Sequence, residues 1–446
     1  MSEAARIFLT ALSISRHGSG PRERIMRFQN RKLRQVVAHA YDRVPYYREL
    51  FDRHRITPAD IRSVADLPKI PITTRSDIRS LGPDQLIARG VDVDDLFQRN
   101  TTGVTGQPLT VWRTPREELL SSATIMRREA RALGVRRGDR VALVKALGRG
   151  RSPREKKREK PGAAALRRML TRRAGADRIH RISSFIPLDD IIQSLREAQP
   201  DVLAGHSGAL CLVAQRLESL GDTSINPRIV ITGSEVLTPM MRDQLSRAFK
   251  AHVYDTYGAQ EFSRIATQCV VTGEYHVCDD SVVVELLTDA RPAAVGEVGT
   301  VVATSLHSYA MPFIRFELGD LAVRGADQCS CGAPFPTLLG IQGRIVDNFR
   351  MPNGSDLDPR ALLNAAWPHR GWIARLRFVQ ETERTVVMHI APSRHPDEAE
   401  LRALEQSEQQ VLGPDVEFVC RLVDSLEGEP TGKWRTFRSL VHENHD

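Results

Sequence analysis

Three patterns in this sequence predict an α/β protein: a large N-terminal α/β domain with a β-rich subdomain, followed by a small α+β C-terminal domain. Between residues 140 and 256, short apolar runs alternate with helical patterns, as in a sheet with crossover helices. From 281 to 316 strand follows strand, with no helical pattern between them. Beyond Gly343 come about one hundred residues, the size of a small unit, with strand patterns around one helix. The expected border divides the chain into residues 1–342 and 343–446.

Taken in order, residues 24–41 have helical spacing. Val44-Pro45-Tyr46-Tyr47 breaks it, because a residue before proline is driven out of helical conformation. Thr114, with Glu117 three positions later, reads as a capping box for a helix running towards Arg131. Residues 140–144, 202–204, 229–232 and 253–256 suit strands, and 188–197, 209–220 and 239–249 suit helices. Strands at 281–287 and 299–305 build the β-rich region. In the last hundred residues, 376–379, 385–390 and 416–422 are strands and 396–411 is a helix. No internal repeat is visible.

The net charge of +8 suggests nucleic acid until its location is examined. Eleven basic residues against Glu155 and Glu159 fall between Arg149 and Arg173, so the rest of the chain is nearly neutral. Glycines and prolines punctuate this stretch, which reads as a surface insertion at about 148–175. It contains no aromatic residue to stack bases, which argues against nucleic-acid binding. An acidic carrier protein would suit such a loop better than nucleic acid, but a solvated surface loop without a partner is the preferred reading. The apolar run at 7–12 is too short for a membrane span and has no basic segment before it. Neither a span nor a secretory signal is expected, and the cytoplasm is the expected location.

Five short motifs carry chemistry. Thr101-Thr102-Gly103-Val104-Thr105-Gly106-Gln107-Pro108 interleaves hydroxyls with glycines, so backbone N–H groups can approach an anion. It is not a Walker A loop, and taken alone it is equally a surface turn. Asp255-Thr256-Tyr257-Gly258-Ala259-Gln260-Glu261 follows a strand, where ligands bind in open α/β sheets. Tyr257 can stack on a base and Glu261 can hold Mg²⁺, although each has an ordinary structural reading. Asp320 of Arg315-Phe316-Glu317-Leu318-Gly319-Asp320 is placed after a strand, where it can accept ribose hydroxyls. Gly343-Arg344 marks the domain border, and Lys433 lies in Thr431-Gly432-Lys433-Trp434-Arg435.

In this order the motifs resemble the adenylate-forming superfamily, which includes acyl-CoA synthetases and nonribosomal adenylation domains. The closer match is its phenylacetate-CoA ligase branch. Val44-Pro45-Tyr46-Tyr47-Arg48, Leu67-Pro68, Pro71-Ile72-Thr73, Gly233-Ser234-Glu235, Leu237-Thr238, Tyr254-Asp255-Thr256-Tyr257-Gly258 and Met311-Pro312-Phe313-Ile314-Arg315 resemble that branch. The likeness runs from about Arg24 to the C-terminus and leaves out the basic insertion.

The resemblance implies an AMP-forming ligase acting on a small carboxylic acid with ATP, Mg²⁺ and coenzyme A. It implies that Thr101, Thr102, Gly103, Thr105 and Gly106 hold the ATP phosphates. Gly233, Ser234, Glu235, Tyr257 and Gly258 would line the adenine site. Glu261 would bind Mg²⁺, Asp320 would grip the ribose, and Arg344 would lie near the ribose and the hinge. Lys433, on a mobile cap domain, would approach the α-phosphate. The chain departs from the pattern at Thr101, where many relatives have serine, and at Gln260, where threonine is usual. Two positions beyond Arg344, where many relatives carry a charge, it has Val346, with Asp347 next. The acceptor therefore stays open between coenzyme A and a carrier-protein thiol, amine or alcohol.

Cysteines supply the last candidate site. Cys329-Ser330-Cys331-Gly332 has the compact form of a metal knuckle, and Cys269 and His276 flank a turn at Gly273. Three thiolates and an imidazole suit structural Zn²⁺, with Cys278 as a substitute ligand. The alternative is that they are buried apolar fillers, the reading preferred for Cys211 and Cys420.

Overall fold

The computed structural model describes residues 14, 17, 20–100, 109–120, 126–145, 179–344, 348–426 and 435–443. These fall into two compact units. One comprises the described parts of 1–139 and 149–179 together with 254–342, and the other the described parts of 140–148, 180–253 and 343–446.

The first unit begins with the helix Arg22–Arg43. Its buried residues Ile25, Phe28, Gln29, Leu33, Val36, Val37 and Ala40 recur at three- and four-residue spacing and form one face. Val44 is extended before Pro45, and Pro45 then serves as the first residue of a second helix, Pro45–Arg53. The break at Val44-Pro45 is thus a joint between two helices. Thr114 and Glu117 form the expected capping box, whose helix is described as Pro115–Leu119 and is followed by Met126–Ala132. Eight strands lie side by side in this unit. Their order is Arg291–Pro292, Val282–Thr288, Val298–Ser305, Phe316–Arg324, Thr337–Arg344, Tyr275–Val277, Ser263–Gln268, His252–Ala259. The pairings with a described register are antiparallel, as expected where helical crossovers are missing. Phe313, Phe316, Ile265 and Val301 centre one core cluster, and Leu33, Val37, Phe51, Leu67 and Ile314 another.

The second unit carries a parallel arrangement. Val141–Lys145 pairs parallel with Val202–His206, which pairs parallel with Ile229–Gly233. The helices Leu188–Ala198, Ser207–Ser219 and Pro239–Phe249 alternate with these strands, and a core of Leu203, Leu210, Val213, Val230, Leu245 and Phe249 fills the space between. The last hundred residues have a sheet of their own, in the order Glu417–Leu422, Thr385–Pro392, Ile373–Thr382, Phe437–Ser439. The central pair is antiparallel and the two outer strands join it parallel. The helix Glu398–Leu412 contributes Leu404 and Leu412 to a core around Phe349, Trp372 and Phe378. The chain crosses from the first unit to the second between Gln342 and Gly343. No helix among the described residues is long and apolar enough to cross a membrane.

Candidate active site

In the first unit, two β-bulges aim the polar residues. The pairing of His252–Ala259 with Ser263–Gln268 shifts register between Tyr257 and Gly258. A Cβ on Gly258 would lie 2.1 Å from the Ser263 carbonyl oxygen, so the turn requires glycine there. The pairing of Val298–Ser305 with Phe316–Arg324 also shifts, between Thr300 and Val302. Opposite this shift stands Gly319, at φ +72°. Asp320 thus lies within a strand and not after one, a correction to the expected placement, and the bulge re-aims it. The two bulges meet: Tyr257 Oη donates to Asp320 Oδ2 at 2.7 Å.

Glu261 follows the first bulge and is 2% exposed. Arg75 Nη2 donates to its Oε1 at 2.7 Å. Arg113 donates to Ser263 Oγ and to the Gln260 carbonyl, which fixes the turn on either side of Glu261. Burial pulls the Arg113 guanidinium below its usual range, and Glu118 and Glu117 oppose that shift.

In the second unit, Gly233 ends a parallel strand in register with His206 on the neighbouring one. Both lie at carboxyl ends, the rim where open α/β sheets bind ligands. Ser234 is left-handed at φ +71°, and Glu235 Oε2 accepts from Gly208 N at 2.7 Å. The Glu235 carboxylate therefore holds an N-terminal amide of the helix Ser207–Ser219, where negative charge is favourable. His206 is the residue preceding that helix, in keeping with its structural reading. Arg344 ends the strand Thr337–Arg344, next to Gly343 at φ +107°.

Thr101, Thr102, Gly103, Thr105, Gly106, Val346, Asp347, Lys433 and the basic insertion lie outside the described residues. The chain resumes at Arg435, whose carbonyl accepts from Arg377 Nε at 3.0 Å just before the strand Phe437–Ser439.

Cys269, His276, Cys329 and Cys331 converge, with one ligand atom from each lying within 4.8 Å of the others. Cys331 Sγ is 3.4 Å from His276 Nε2. Val271 N donates to Cys269 Sγ and Ala333 N to Cys331 Sγ, both at 3.4 Å. Such N–H donation two residues after a cysteine stabilises a thiolate. Gly273 (φ +79°) and Gly332 (φ +89°) allow the two turns. Burial lowers the His276 pKa, favouring the neutral imidazole that ligates metals. Cys278 is not a substitute ligand: its Sγ donates to Glu129 Oε1 at 2.5 Å, and burial holds it as a thiol. Cys211 is buried in an apolar core, and Cys420 packs half-buried against another.

No protein-family model matches the chain. It is 28% identical over 340 residues to a phenylacetate-coenzyme A ligase of Thermus thermophilus, covering 73% of this chain and 72% of the relative. A phenylacetate-coenzyme A ligase of Escherichia coli is 28% identical over 313 residues, 67% of each chain. Among solved structures, a 2-hydroxyisobutyryl-CoA ligase in its postadenylation state superimposes with a TM-score of 0.78 at 21% identity. That match covers 96% of this chain and 91% of the ligase. A benzoate-CoA ligase from Burkholderia xenovorans reaches 0.53 at 16% identity, covering 78% and 69%. The chain is thus similar in sequence to phenylacetate-coenzyme A ligases over two thirds or more of its length, and it shares the fold of the acid–CoA ligases.

The motifs that resemble the phenylacetate-CoA ligase branch include residues that build the scaffold. Tyr47 Oη donates to the Pro312 carbonyl at 3.2 Å and accepts from Ile314 N at 2.8 Å. Arg315, left-handed at φ +47°, grips Glu285 through two nitrogens and the Ile70 carbonyl through a third. Thr73 N donates to the Arg315 carbonyl at 2.8 Å. Glu117 does more than cap its helix, because its Oε1 accepts from Tyr309 N and Ala310 N at 2.5 and 2.9 Å. Arg75 and Arg113 were missed from sequence. Arg75 lies two positions beyond a branch-like motif, Pro71-Ile72-Thr73, which is the only signal that pointed to it.

Proposed function

We propose that this protein is an AMP-forming acid–CoA ligase: it activates a small carboxylic acid with ATP to an acyl-adenylate and transfers the acyl group to coenzyme A. The observation that carries the reading is the joining of Tyr257 to Asp320 beside the buried Glu261, in a chain whose relatives are named as CoA ligases.

In this reading Tyr257 and the rim at Gly233, Ser234 and Glu235 contact the adenine, and Asp320 takes the ribose hydroxyls. Arg344 lies near the ribose and the hinge, and residues 101–106 hold the phosphates. The substrate carboxylate oxygen attacks the α-phosphorus and pyrophosphate leaves. Lys433 places its ammonium where charge accumulates in that displacement. Residues 343–446 act as a mobile cap that then moves so that the CoA thiol can attack the acyl carbon, with AMP leaving. Glu261 is a buried hard oxygen donor, which fits Mg²⁺; the ion, when bound, supplies further charge stabilisation at the phosphates. The Cys₃His set fits Zn²⁺, which would tie two turns of the β-rich region together and take no part in the chemistry.

The test is carboxylate-dependent pyrophosphate release over a panel of aromatic and short aliphatic acids, with and without CoA. Release with an acid alone, and turnover to AMP on adding CoA, are the expected results. Release that CoA does not accelerate would point to another acceptor, such as a carrier-protein thiol. No release with any acid would contradict the reading.

A further inference from the structure

The Glu261 carboxylate is nearly sealed from solvent, and its Oε1 is held by a guanidinium from a distant part of the chain, 186 positions away. Arg75 opens the short helix Arg75–Arg79, whose start is locked by reciprocal bonds between Thr74 and Asp77. The segment before it is fixed too, since Thr73 N bonds the Arg315 carbonyl and the Thr73 carbonyl accepts from Glu317 N at 2.9 Å. The guanidinium therefore projects from an anchored base. Arg113, a second arginine near this turn, gives its hydrogen bonds to Ser263 Oγ and the Gln260 carbonyl and acts on Glu261 only through its charge. A buried carboxylate left without a counter-charge is strongly destabilising. Arginine is suited to the task because it never loses its charge and offers directional donors. A divalent cation brought to the same carboxylate is repelled by the guanidinium and draws on the same negative charge, so each weakens the hold of the other.

We propose that Arg75 is a resident counter-ion on Glu261 with which the divalent cation of the nucleotide competes. Arg75 is then a positioning residue that sets the metal requirement of nucleotide binding. This rests on the reading of Glu261 as the metal-binding carboxylate. Before nucleotide arrives, Arg75 holds that carboxylate in place, and the metal takes over the charge that Arg75 had balanced.

Calorimetric titration of the full chain with a non-hydrolysable ATP analogue, at a series of Mg²⁺ concentrations, tests the competition. Arg75→Gln is expected to lower the half-saturating Mg²⁺ concentration about tenfold, whereas Arg75→Lys keeps the wild-type requirement. In chelator and without nucleotide, Arg75→Gln should melt below wild type, and Mg²⁺ with the analogue should raise its Tm by more than it raises that of wild type. An unchanged or raised Mg²⁺ requirement in Arg75→Gln overturns this proposal and leaves the ligase reading standing. Failure of wild type to bind nucleotide at all overturns both. If Arg75→Gln does not fold, the Arg75→Gln/Glu261→Gln pair buries no lone charge; its folding supports the pairing and its failure to fold overturns it.

Discussion

Tyr257 and Asp320 share a hydrogen bond of 2.7 Å, although 63 positions separate them and each sits at its own β-bulge. A phenol held in this way is fixed in rotation, and a carboxylate held in this way is fixed in aim. Both residues are expected at one nucleotide, so the bond orders the site before ligand arrives. Tyr257→Phe keeps the ring and removes the bond. Hydrogen bonds to charged groups contribute about 1.5–3 kcal/mol to stability, so the variant should melt below wild type, and ATP affinity should fall because the Asp320 carboxylate loses its aim. Equilibrium binding of a non-hydrolysable ATP analogue checks this.

Gly258→Ala should be much more severe. The new methyl would meet the Ser263 carbonyl oxygen at 2.1 Å, and the turn that places Glu261 has to open. Adenylation is expected to fall at least about a hundredfold, as misplaced catalytic groups commonly cost, with a lower Tm. Gly340→Ala meets no atom within 4 Å and serves as the control. Pyrophosphate release and calorimetry on both variants measure the contrast.

The sequence made most of the framework legible because periodicity and capping are local. The capping box at Thr114 and Glu117, the parallel strands and their helices, and the strands and helix of the last hundred residues all lie where patterns place them. The motifs located Tyr257, Asp320 and Glu261 on the chain but not their partners. The Arg75–Glu261 contact and the Glu235–Gly208 bond depend on tertiary placement, which no local pattern encodes. Asp320 was misplaced relative to its strand because a bulge at Gly319 looks, in sequence, like a strand end. The small strand Phe437–Ser439 was missed because three residues carry no readable alternation.

Purified protein should contain about one zinc per chain, bound by Cys269, His276, Cys329 and Cys331. Cys329→Ser should lose the metal and lower the Tm, with activity at low temperature largely retained, the outcome expected of a structural site. Elemental analysis together with thiol alkylation of the folded protein checks this. Zinc-free protein with all four side chains reactive would contradict the assignment.

Glu408 predicts a pH dependence. It is fully buried in the helix Glu398–Leu412, and neither carboxylate oxygen has a hydrogen-bond partner among the described residues. Burial pushes its pKa from 4.5 up to about 9. Between those values the unfolded chain releases the proton while the folded chain keeps it, so stability falls as pH rises, by up to about 1.4 kcal/mol per pH unit. Glu408→Gln cannot ionise and should remove that slope. Its Tm should match wild type near pH 4.5 and exceed it increasingly towards pH 8. Thermal melts across that range decide the point, and parallel curves for the two proteins would contradict it.

The formation of an acyl-adenylate is tested most directly by isotope transfer. An acid that supports turnover is labelled with ¹⁸O in its carboxylate, and the AMP formed in the presence of CoA is examined by mass spectrometry. Attack of a carboxylate oxygen on the α-phosphorus followed by thioester formation leaves that oxygen on the phosphate, so AMP should carry one ¹⁸O. Unlabelled AMP, or ADP with the label in inorganic phosphate, would contradict the mechanism.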